Sequence, residues 1–465
     1  MIADLKPYRE YKESGHEWLG CIPTGWEVRK LKYLTRFVNG LPFKPRDWGA
    51  SGTPIIRIQN LNGSREFNYT NRRDLPQELL IRQGDLLFAW SGNRGTSFGP
   101  SLWKEDFTGY LNQHIFKLVG YSLETRYFYY LLRAATSHIE EEKTHGIIGL
   151  VHVTKPELGS TSVPVAPEQE WTSIVRYLDW GCKRLDRAIR AKRKIIASLN
   201  EQKRAVISHT VTRGIDSRVQ LKHSGVDWIG EIPAHWSVLR IKNVMRTLDH
   251  RSSTGTEELL SVRMHHGIVR FSEHFQRPPQ ARTLVNFKIV QPGQFVVNRM
   301  QAGNGLIYCS DLFGLVSPDY SVLEAIADVN KEFLGELMRS RLMRWKFRVE
   351  SKGLGTGTSG FLRLYDDRLG AVHVALPPRQ EQDSIMLELK EKLSGLIEAT
   401  CRVEREMDLL LEYRTRLIAD VVTGKLDVRE AAASLPDAVP EQSEPEIDAQ
   451  EFEDEDLAAA GRTEE

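Results

Sequence analysis

The amino-acid sequence contains two copies of one pattern. The segment 11–34 returns 210 residues later as 221–244, and ten of the 24 aligned positions are identical, including the motif Trp-x-Gly-x-Ile-Pro-x-x-Trp. A second match, offset by 211 residues, pairs Pro-Glu-Gln-Glu at 167–170 with Pro-Arg-Gln-Glu at 378–381. A duplicated sequence predicts two units of one fold related by an internal pseudo-two-fold axis.

Length and composition indicate a multidomain soluble protein. At 465 residues, 41% of them hydrophobic, the chain is expected to form two to four domains. No run approaches the roughly 20 apolar residues that a membrane helix needs, and the first residues lack the apolar centre of a signal peptide. The four cysteines include no Cys-x-x-Cys pair, which favours reduced thiols and a cytoplasmic location over disulfides or a metal site.

The net charge of +1 conceals two regions of opposite sign. Residues 431–465 contain 12 acidic residues and one basic residue, a net charge of −11. The other 430 residues include 62 basic and 50 acidic residues, a net charge of +12, as in proteins that bind phosphate groups. The acidic end is predicted to be a disordered tail that either aids solubility or competes with nucleic acid for the basic surface.

Each copy of the pattern has three parts. A lead-in rich in Trp, Gly and Pro precedes a mixed block of short β-type runs, and a proline-containing stop then introduces a long helix. The sequence therefore predicts an α+β protein with two α/β-type domains. The predicted boundaries are a lead-in at 1–19, mixed blocks at 20–163 and 215–374, helical spacers at 164–214 and 375–427, and a disordered acidic tail at 428–465.

The helical spacers have the clearest periodicity. Seam positions, mostly apolar, alternate at spacings of four and three from Leu178 to Thr210 and again from Leu389 to Val421. Such a seam over more than four heptads is typical of a coiled coil, and the first would be about 50 Å long. Two matched copies favour mutual pairing, the alternative being amphipathic helices that each lie on their own domain. Antiparallel pairing would place the mixed blocks at opposite ends.

Two further motifs accompany the duplicated lead-in. They are Gly-Asp-Leu-Leu at 84–87 and Leu-Pro-Pro-Arg-Gln-Glu-Gln at 376–382. With the order block, helix, block, helix over nearly all of 10–427, they resemble the specificity subunit of a type I restriction–modification enzyme. The second block departs from the pattern with Gly-Gln-Phe at 293–295, and the acidic tail is not part of it.

The resemblance implies two target-recognition domains separated by an antiparallel coiled coil. Each domain would read one half of a split site on double-stranded DNA, while the helices dock two methyltransferase subunits. Because the two blocks differ in sequence, the target would be bipartite and asymmetric, with an unread gap. Restriction subunits would join for cleavage, and S-adenosylmethionine, ATP and magnesium would be used by the partners, with no cofactor on this chain.

The candidate DNA-binding residues are long polar side chains in turns beside basic residues. Arginine can form two hydrogen bonds with guanine, and Asn or Gln with adenine, each pair discriminating by about 1–3 kcal/mol. The loop after Lys352 is expected to face phosphate groups; for every candidate the alternative is a solvated loop residue. The candidates are Arg57, Gln59, Asn60, Asn62, Asn93, Arg94, Thr144, His145, Arg263, His265, His266, Asn298, Arg299, Gln301, Asn304, Lys352, Thr356 and Thr358.

Patterns that suggest catalysis or cofactor binding lack their required context. Residues 95–99 fit the Gly-x-Ser-x-Gly nucleophile elbow, but Pro100 follows and no helical period does, so a turn-rich loop is predicted. Residues 355–360 fit a dinucleotide-binding loop, but the preceding residues are too polar for its strand. His265 and His266 lack companion metal ligands, and the lead-in tryptophans are predicted to pack in the core.

The sequence also lacks the motifs of the expected partner enzymes. It has no Asn-Pro-Pro-aromatic methyltransferase motif, no Gly-x4-Gly-Lys-Ser/Thr phosphate loop and no nuclease Asp…Glu-x-Lys cluster. The hypothesis is therefore a non-catalytic DNA-recognition subunit. The rival hypothesis is a coiled-coil scaffold whose end domains bind proteins, with association that is insensitive to salt.

Overall fold

The computed structural model describes residues 5–143, 150–216, 218–264, 266–275, 278–279, 281–354 and 361–436. Within these residues the chain divides into two compact units. Unit 1 contains residues 5–193 and 405–436, and unit 2 contains residues 194–404. Unit 1 is therefore built from two stretches that are far apart in the sequence.

Short strands form the mixed block of unit 1, as its apolar runs and turn residues predict. The strands are β1 (Tyr11–Glu13), β2 (Cys21–Pro23), β3 (Glu27–Lys30), β4 (Arg36–Asn39), β5 (Thr53–Ile56), β6 (Asn68–Thr70), β7 (Leu80–Ile81), β8 (Leu86–Ala89), β9 (Ser91–Asn93), β10 (Gly99–Leu102), β11 (Gly109–Leu111), β12 (Ile115–Val119), β13 (Leu150–His152) and β14 (Ser162–Val165). The helices that begin in this unit are α1 (Ile58–Leu61), α2 (Thr125–Lys143), α3 (Lys155–Ser160) and α4 (Glu168–Arg213).

Two four-stranded sheets form the body of unit 1. The sheet β10-β8-β12-β4 is antiparallel, and its strand β8 is buried at every position. The sheet β6-β5-β11-β7 contains one parallel pair, β5 with β11. Helix α2 contributes Tyr127, Phe128 and Leu131 to the core that contains Phe88 and Phe116. A continuous apolar run such as β8 is expected for a strand with both faces covered.

Unit 2 repeats this design with different loops. Its strands are β15 (Leu221–His223), β16 (Glu231–Pro233), β17 (Ser237–Arg240), β18 (Met245–Leu248), β19 (Leu260–Arg263), β20 (Gly267–Arg270), β21 (Lys288–Val290), β22 (Phe295–Asn298), β23 (Ile307–Cys309), β24 (Gly314–Val316), β25 (Tyr320–Ala325), β26 (Lys352–Leu354), β27 (Phe361–Arg363) and β28 (His373–Leu376). Its helices are α5 (Ile241–Val244), α6 (Phe271–His274), α7 (Lys331–Arg339), α8 (Arg341–Glu350), α9 (Asp366–Ala371) and the first part of α10 (Arg379–Val422).

The main sheet of unit 2 confirms the predicted repeat. Its order β18-β25-β22-β23 is antiparallel throughout and matches β4-β12-β8-β10 of unit 1. The central strand β22, like β8, is buried at every position. The two lead-ins also form matching hairpins, β1 with β2 and β15 with β16, in the same register. The duplication in the sequence is therefore a duplication of the fold.

The lead-in tryptophans are structural, as predicted. Trp26 and Trp236 are each 1% exposed. The indole Nε1 of Trp26 donates to Oε2 of Glu170 over 3.3 Å, and that of Trp236 donates to Oε1 of Glu381 over 3.1 Å. Each lead-in is thereby joined to the first turn of a long helix, α4 in unit 1 and α10 in unit 2.

The long helices form the predicted coiled coil, and their direction is antiparallel. In unit 1, Asp186 of α4 pairs with Arg414 of α10 over 2.6 Å, and Lys192 pairs with Glu406. In unit 2, Val211 near the end of α4 shares a core with Ile385 and Leu389 near the start of α10. In both units the residue number therefore rises along one helix as it falls along the other. All seam positions are buried or half-buried.

Residues 428–436 correct the predicted start of the acidic tail. They include a short helix, α11 (Arg429–Ala433), and Val428 and Ala432 are 0% and 1% exposed in the core of unit 1. The spacing of four residues places both side chains on the same face of the helical turn. The remainder of the tail, 437–465, lies outside the described residues.

Candidate nucleic-acid interface

In unit 1 the parallel pair of strands brings two polar segments to one edge of a sheet. Ile56 of β5 pairs with Leu111 of β11, and the amide of Asn112 donates to the carbonyl of Ile56 over 2.9 Å. Because the strands are parallel, the residues that follow them leave the sheet at the same edge. We refer to residues 57–62 and 112–114 as the carboxyl edge of unit 1.

Arg57 is the first residue of this edge. Its guanidinium lies 4.6 Å from the ring centroid of Trp48, which is 38% exposed. The Nε atom of Arg57 is buried and has no hydrogen-bond partner within the described residues. Burial lowers the pKa of Arg57. The side chain is thus a half-buried cation with a fixed plane and unused hydrogen-bonding capacity.

The next predicted residues divide into structural and exposed groups. Asn60 is 8% exposed, accepts a hydrogen bond from the Arg57 amide over 2.9 Å, and donates to the carbonyls of Ser64 and Glu66. Its side chain holds the turn together. Gln59 and Asn62 are exposed on that turn.

A second predicted turn lies between β9 and β10. Asn93 and Arg94 are exposed, and the carbonyl of Asn93 accepts from the amides of Thr96, Ser97 and Phe98. Glu140 of α2 accepts from the amide of Gly95 over 2.8 Å, and burial raises the pKa of Glu140.

The strand β10 that follows this turn begins at Gly99. A nucleophile elbow requires a helix at that point, so the predicted turn-rich loop is confirmed. Thr144 and His145 lie outside the described residues.

Gln113 and His114 belong to the carboxyl edge and were missed by the sequence prediction. The carbonyl of Gln113 accepts from Nε1 of Trp90 over 2.9 Å, and its Oε1 is buried without a hydrogen-bond partner in the described structure. The ring of Trp90 contacts the rings of His114 and His152, with centroids 5.2 and 4.8 Å away. The available signal was a polar segment directly after an apolar strand, but the register of the parallel pair is not visible in the sequence.

In unit 2 two of the predicted residues are bound within the protein. The side chain of Arg299 is 13% exposed, donates from Nε to Oγ of Ser321 over 2.9 Å, and lies 3.7 Å from Asp366. Asn298 is 8% exposed and accepts from the amide of Met300 over 3.2 Å. In this structure both side chains fix the turn that follows β22.

The rest of that turn is supported by basic residues of α8. Gln301 and Asn304 are half-buried and hydrogen-bonded to each other. Arg348 donates from Nη2 to Oδ1 of Asn304 over 3.1 Å and to the carbonyl of Gly303 over 3.2 Å. The turn 298–304 is therefore backed by positive charge, with the 50% exposed Trp345 on the same helix.

The other predicted residues of unit 2 lie on two hairpins. The guanidinium of Arg263, at the end of β19, lies 5.2 Å from the ring of Phe275. His266 is exposed, and its ring lies 5.2 Å from that of His274. Lys352 is exposed and pairs with Arg363 across β26 and β27. His265, Thr356 and Thr358 lie outside the described residues.

The described ranges contain neither a metal site nor a membrane-spanning helix. No group of three or more His, Cys, Asp or Glu side chains there is arranged to hold a metal ion. Likewise, none of the helices in those ranges is both long enough and apolar enough to cross a membrane.

The chain is similar to known specificity subunits. Residues 23–201 match the family model described as type I restriction modification DNA specificity domain. The chain is 24% identical over 452 residues to the putative type I restriction enzyme MjaX specificity subunit of Methanocaldococcus jannaschii, which covers 92% of this chain and 100% of that protein. Over nearly its whole length, the chain thus resembles a type I restriction enzyme specificity subunit. Residues 23–201 are the part that matches a DNA specificity domain.

Two further comparisons show similar resemblances. The chain is 27% identical over 254 residues to the type I restriction enzyme MjaVIII specificity subunit of the same organism, covering 53% of this chain and 55% of that protein. It also resembles a solved chain described under "complex assembly and conformational transition of the type I R-M system", with a TM-score of 0.54 and 15% identity, over 87% of this chain and 99% of that chain. The last likeness concerns the fold.

Proposed function

We propose that this chain is a type I specificity subunit, a non-catalytic reader of a bipartite, asymmetric site on double-stranded DNA, with one half-site bound by each unit. The observation that carries the proposal is that the two units share the strand order of their main sheet but carry different polar turns. Unit 1 has the carboxyl edge with Arg57, whereas unit 2 has the turn 298–304 backed by α8. Two readers with one fold and different side chains would recognise two different half-sites.

The surface chemistry supports DNA as the ligand. The chain before the acidic segment has a net charge of +12, which favours binding to the phosphate backbone. Gln59, Asn62, Asn93 and Arg94 are exposed beside Arg57 or on the neighbouring turn, and these side chains offer donors and acceptors for the edges of bases. Phosphate contacts would position each unit and base contacts would specify the sequence.

We further propose that the coiled coil sets the gap between half-sites and docks the enzymatic subunits. Several large apolar side chains are exposed on its helices. Exposed apolar surface that forms a patch favours burial against a partner protein. They are Ile195 at 43%, Leu387 at 64%, Ile397 at 45% and Leu409 at 64% exposure. Two methyltransferase subunits and the restriction subunits would bind this chain, and S-adenosylmethionine, ATP and magnesium would be bound by those partners.

Mapping of methylated positions tests the proposal. The full chain is co-expressed with its methyltransferase subunits in a host that lacks other methylation, and the methylated sites are sequenced. We expect one split, non-palindromic motif, and replacement of residues 20–163 by the equivalent block of another specificity subunit should change only one half of it. A change in both halves would contradict the assignment of one half-site to each unit.

A binding measurement separates DNA recognition from the scaffold alternative. The affinity of the assembled complex for a duplex that contains the motif should fall steeply as salt rises, and a footprint should cover both half-sites. Salt-insensitive association without a footprint would favour the scaffold.

A further inference from the structure

We infer that Arg57, held against the ring of Trp48, reads a guanine in the half-site bound by unit 1. The inference rests on the proposed function and names one residue and one base type within it. Arg57 lies at the carboxyl edge of unit 1. There β5 ends beside the segment 112–114 that follows β11.

The hydrogen-bonding state of Arg57 distinguishes it from Arg299, the candidate arginine that follows the buried strand β22. Arg299 is bound to Ser321 and lies near Asp366, so its guanidinium is used to fix a turn. Burial lowers the pKa of Arg57, and its buried Nε has no partner among the described residues. A buried donor without an acceptor is unfavourable. The guanidinium of Arg57 therefore keeps hydrogen-bonding capacity that the protein does not use.

The backbone and the ring together hold the guanidinium in place. Asn60 accepts a hydrogen bond from the Arg57 amide and fixes the start of the turn. Trp48 lies at 4.6 Å from the guanidinium carbon, a distance at which the ring attracts the cation. Stacking covers a face of the guanidinium and leaves the N–H groups at its edge, which is the geometry needed for two parallel hydrogen bonds.

Guanine fits the N–H groups of the Arg57 guanidinium better than the other bases do. It presents two acceptors, O6 and N7, side by side in the major groove, and a guanidinium can donate to both. A phosphate group also accepts two such bonds, but contact with it would give no base preference.

The test compares Arg57→Ala with Arg65→Ala in the full chain assembled with its methyltransferase subunits. Arg65 is exposed eight residues further along the chain, so both variants lose one positive charge from unit 1. Binding is measured to the wild-type duplex, to duplexes in which each G·C pair is replaced by A·T, and to duplexes that carry 7-deazaguanine, which lacks N7. Arg57→Lys and Trp48→Leu are measured in parallel.

We expect the wild-type complex to prefer one G·C pair of the unit 1 half-site by about 5- to 150-fold. Arg57→Ala and Arg57→Lys should abolish that preference and also the effect of 7-deazaguanine at the same position. Trp48→Leu should weaken the preference, and Arg65→Ala should lower affinity for all duplexes equally. Selectivity at the unit 2 half-site should be unchanged in every variant, which shows that the protein is folded.

Three results would overturn the inference while leaving the proposed function intact. One is equal loss of affinity on all duplexes for Arg57→Ala, which indicates a phosphate contact. The second is an unchanged preference at every G·C pair. The third is that Arg57→Lys retains full selectivity. By contrast, a wild-type complex with no sequence preference in either half-site would refute the proposed function itself.

Discussion

The indole Nε1 of Trp26 donates a hydrogen bond to Oε2 of Glu170, 144 residues later in the chain. The same carboxylate oxygen accepts from the hydroxyl of Tyr8 over 2.6 Å, and Arg429 lies 3.7 Å from the other oxygen. One side chain at the start of α4 thus joins the lead-in, the N-terminal segment and the end of the described chain. In unit 2 the equivalent carboxylate, Glu381, accepts from Trp236 alongside a contact with His235.

Replacement of Glu170 should destabilise unit 1. Glu170→Ala leaves the indole N–H of Trp26 and the hydroxyl of Tyr8 without their acceptor, and each loss costs about 1–3 kcal/mol. Glu170→Gln keeps an acceptor oxygen and should cost less. Glu168 is exposed in the same first turn, so Glu168→Ala is the matched control. Calorimetric unfolding temperatures that are equal for Glu170→Ala and Glu168→Ala would show that this network adds nothing.

The glycines that end the long helices should differ in their tolerance of alanine. Gly424 and Gly214 have φ angles of +75° and +79°, so alanine is strained at either site by about 1–2 kcal/mol. A Cβ on Gly214 would lie 3.4 Å from Trp236, an ordinary contact, whereas one on Gly424 would overlap the ring of Pro23. Gly424→Ala should therefore lower the unfolding temperature more than Gly214→Ala does, and the reverse order would contradict this packing.

The ion pair between Asp186 and Arg414 should be exchangeable. Arg414→Asp places two carboxylates on facing helices and should lower the free energy of unfolding, whereas the double variant Asp186→Arg with Arg414→Asp restores opposite charges. We expect a coupling of about 0.5–3 kcal/mol in a double-mutant cycle measured by denaturant unfolding. Additive effects of the two single changes would show that the pair does not contribute to the antiparallel register.

The stability of unit 1 should depend on the ionisation of Glu140. Burial raises the pKa of this carboxyl in the folded protein above its value in the unfolded chain. The protonated carboxyl therefore contributes its full stability at a pH below the pKa of the unfolded chain. That stability is lost as the pH rises through the pKa of the folded protein. Glu140→Gln cannot ionise and retains an acceptor for the Gly95 amide. Its stability relative to the wild type should therefore increase from about pH 4 to about pH 7.

Hydrogen exchange at the amides of α2 and of the turn after β9 measures this local difference. Glu141 is exposed in the next position, and Glu141→Gln should show a smaller change over the same pH range. A wild-type protein that gains protection relative to Glu140→Gln as pH rises would reverse the sign of the prediction.

The large features of this fold could be predicted because each leaves a repeated signal. The offset of 210 residues predicts two related units, and the seam from Leu389 to Val421 predicts a helix that the structure extends from Arg379 to Val422. The seam alone did not predict the direction of pairing, since an a/d seam fits either orientation; the antiparallel direction was predicted from the family resemblance. It depends on contacts such as that of Asp186 with Arg414, which are formed by residues 228 positions apart.

The candidate interface was predicted less completely, for a physical reason. Composition identifies polar turns, but it does not show which polar side chains are already satisfied within the protein. Asn60 and Arg299 hydrogen-bond within their own unit, whereas Arg57 lies on Trp48 with an unpartnered Nε. Gln113 was missed because its place beside Arg57 depends on strand pairing between residues more than fifty positions apart.

The division of α10 between the units has a consequence for biosynthesis. Residues 194–404 leave the ribosome as one uninterrupted stretch, so unit 2 has all of its described parts before translation reaches 405. The first residues of unit 1 are made earliest, but the unit is incomplete until residues 405–436 have been synthesised. Until then, Leu178 and Leu185 lack Leu417 and Val421 from their shared core. Maturation of this chain should thus run against the usual N-to-C order, with the first-made half exposing apolar surface for most of synthesis.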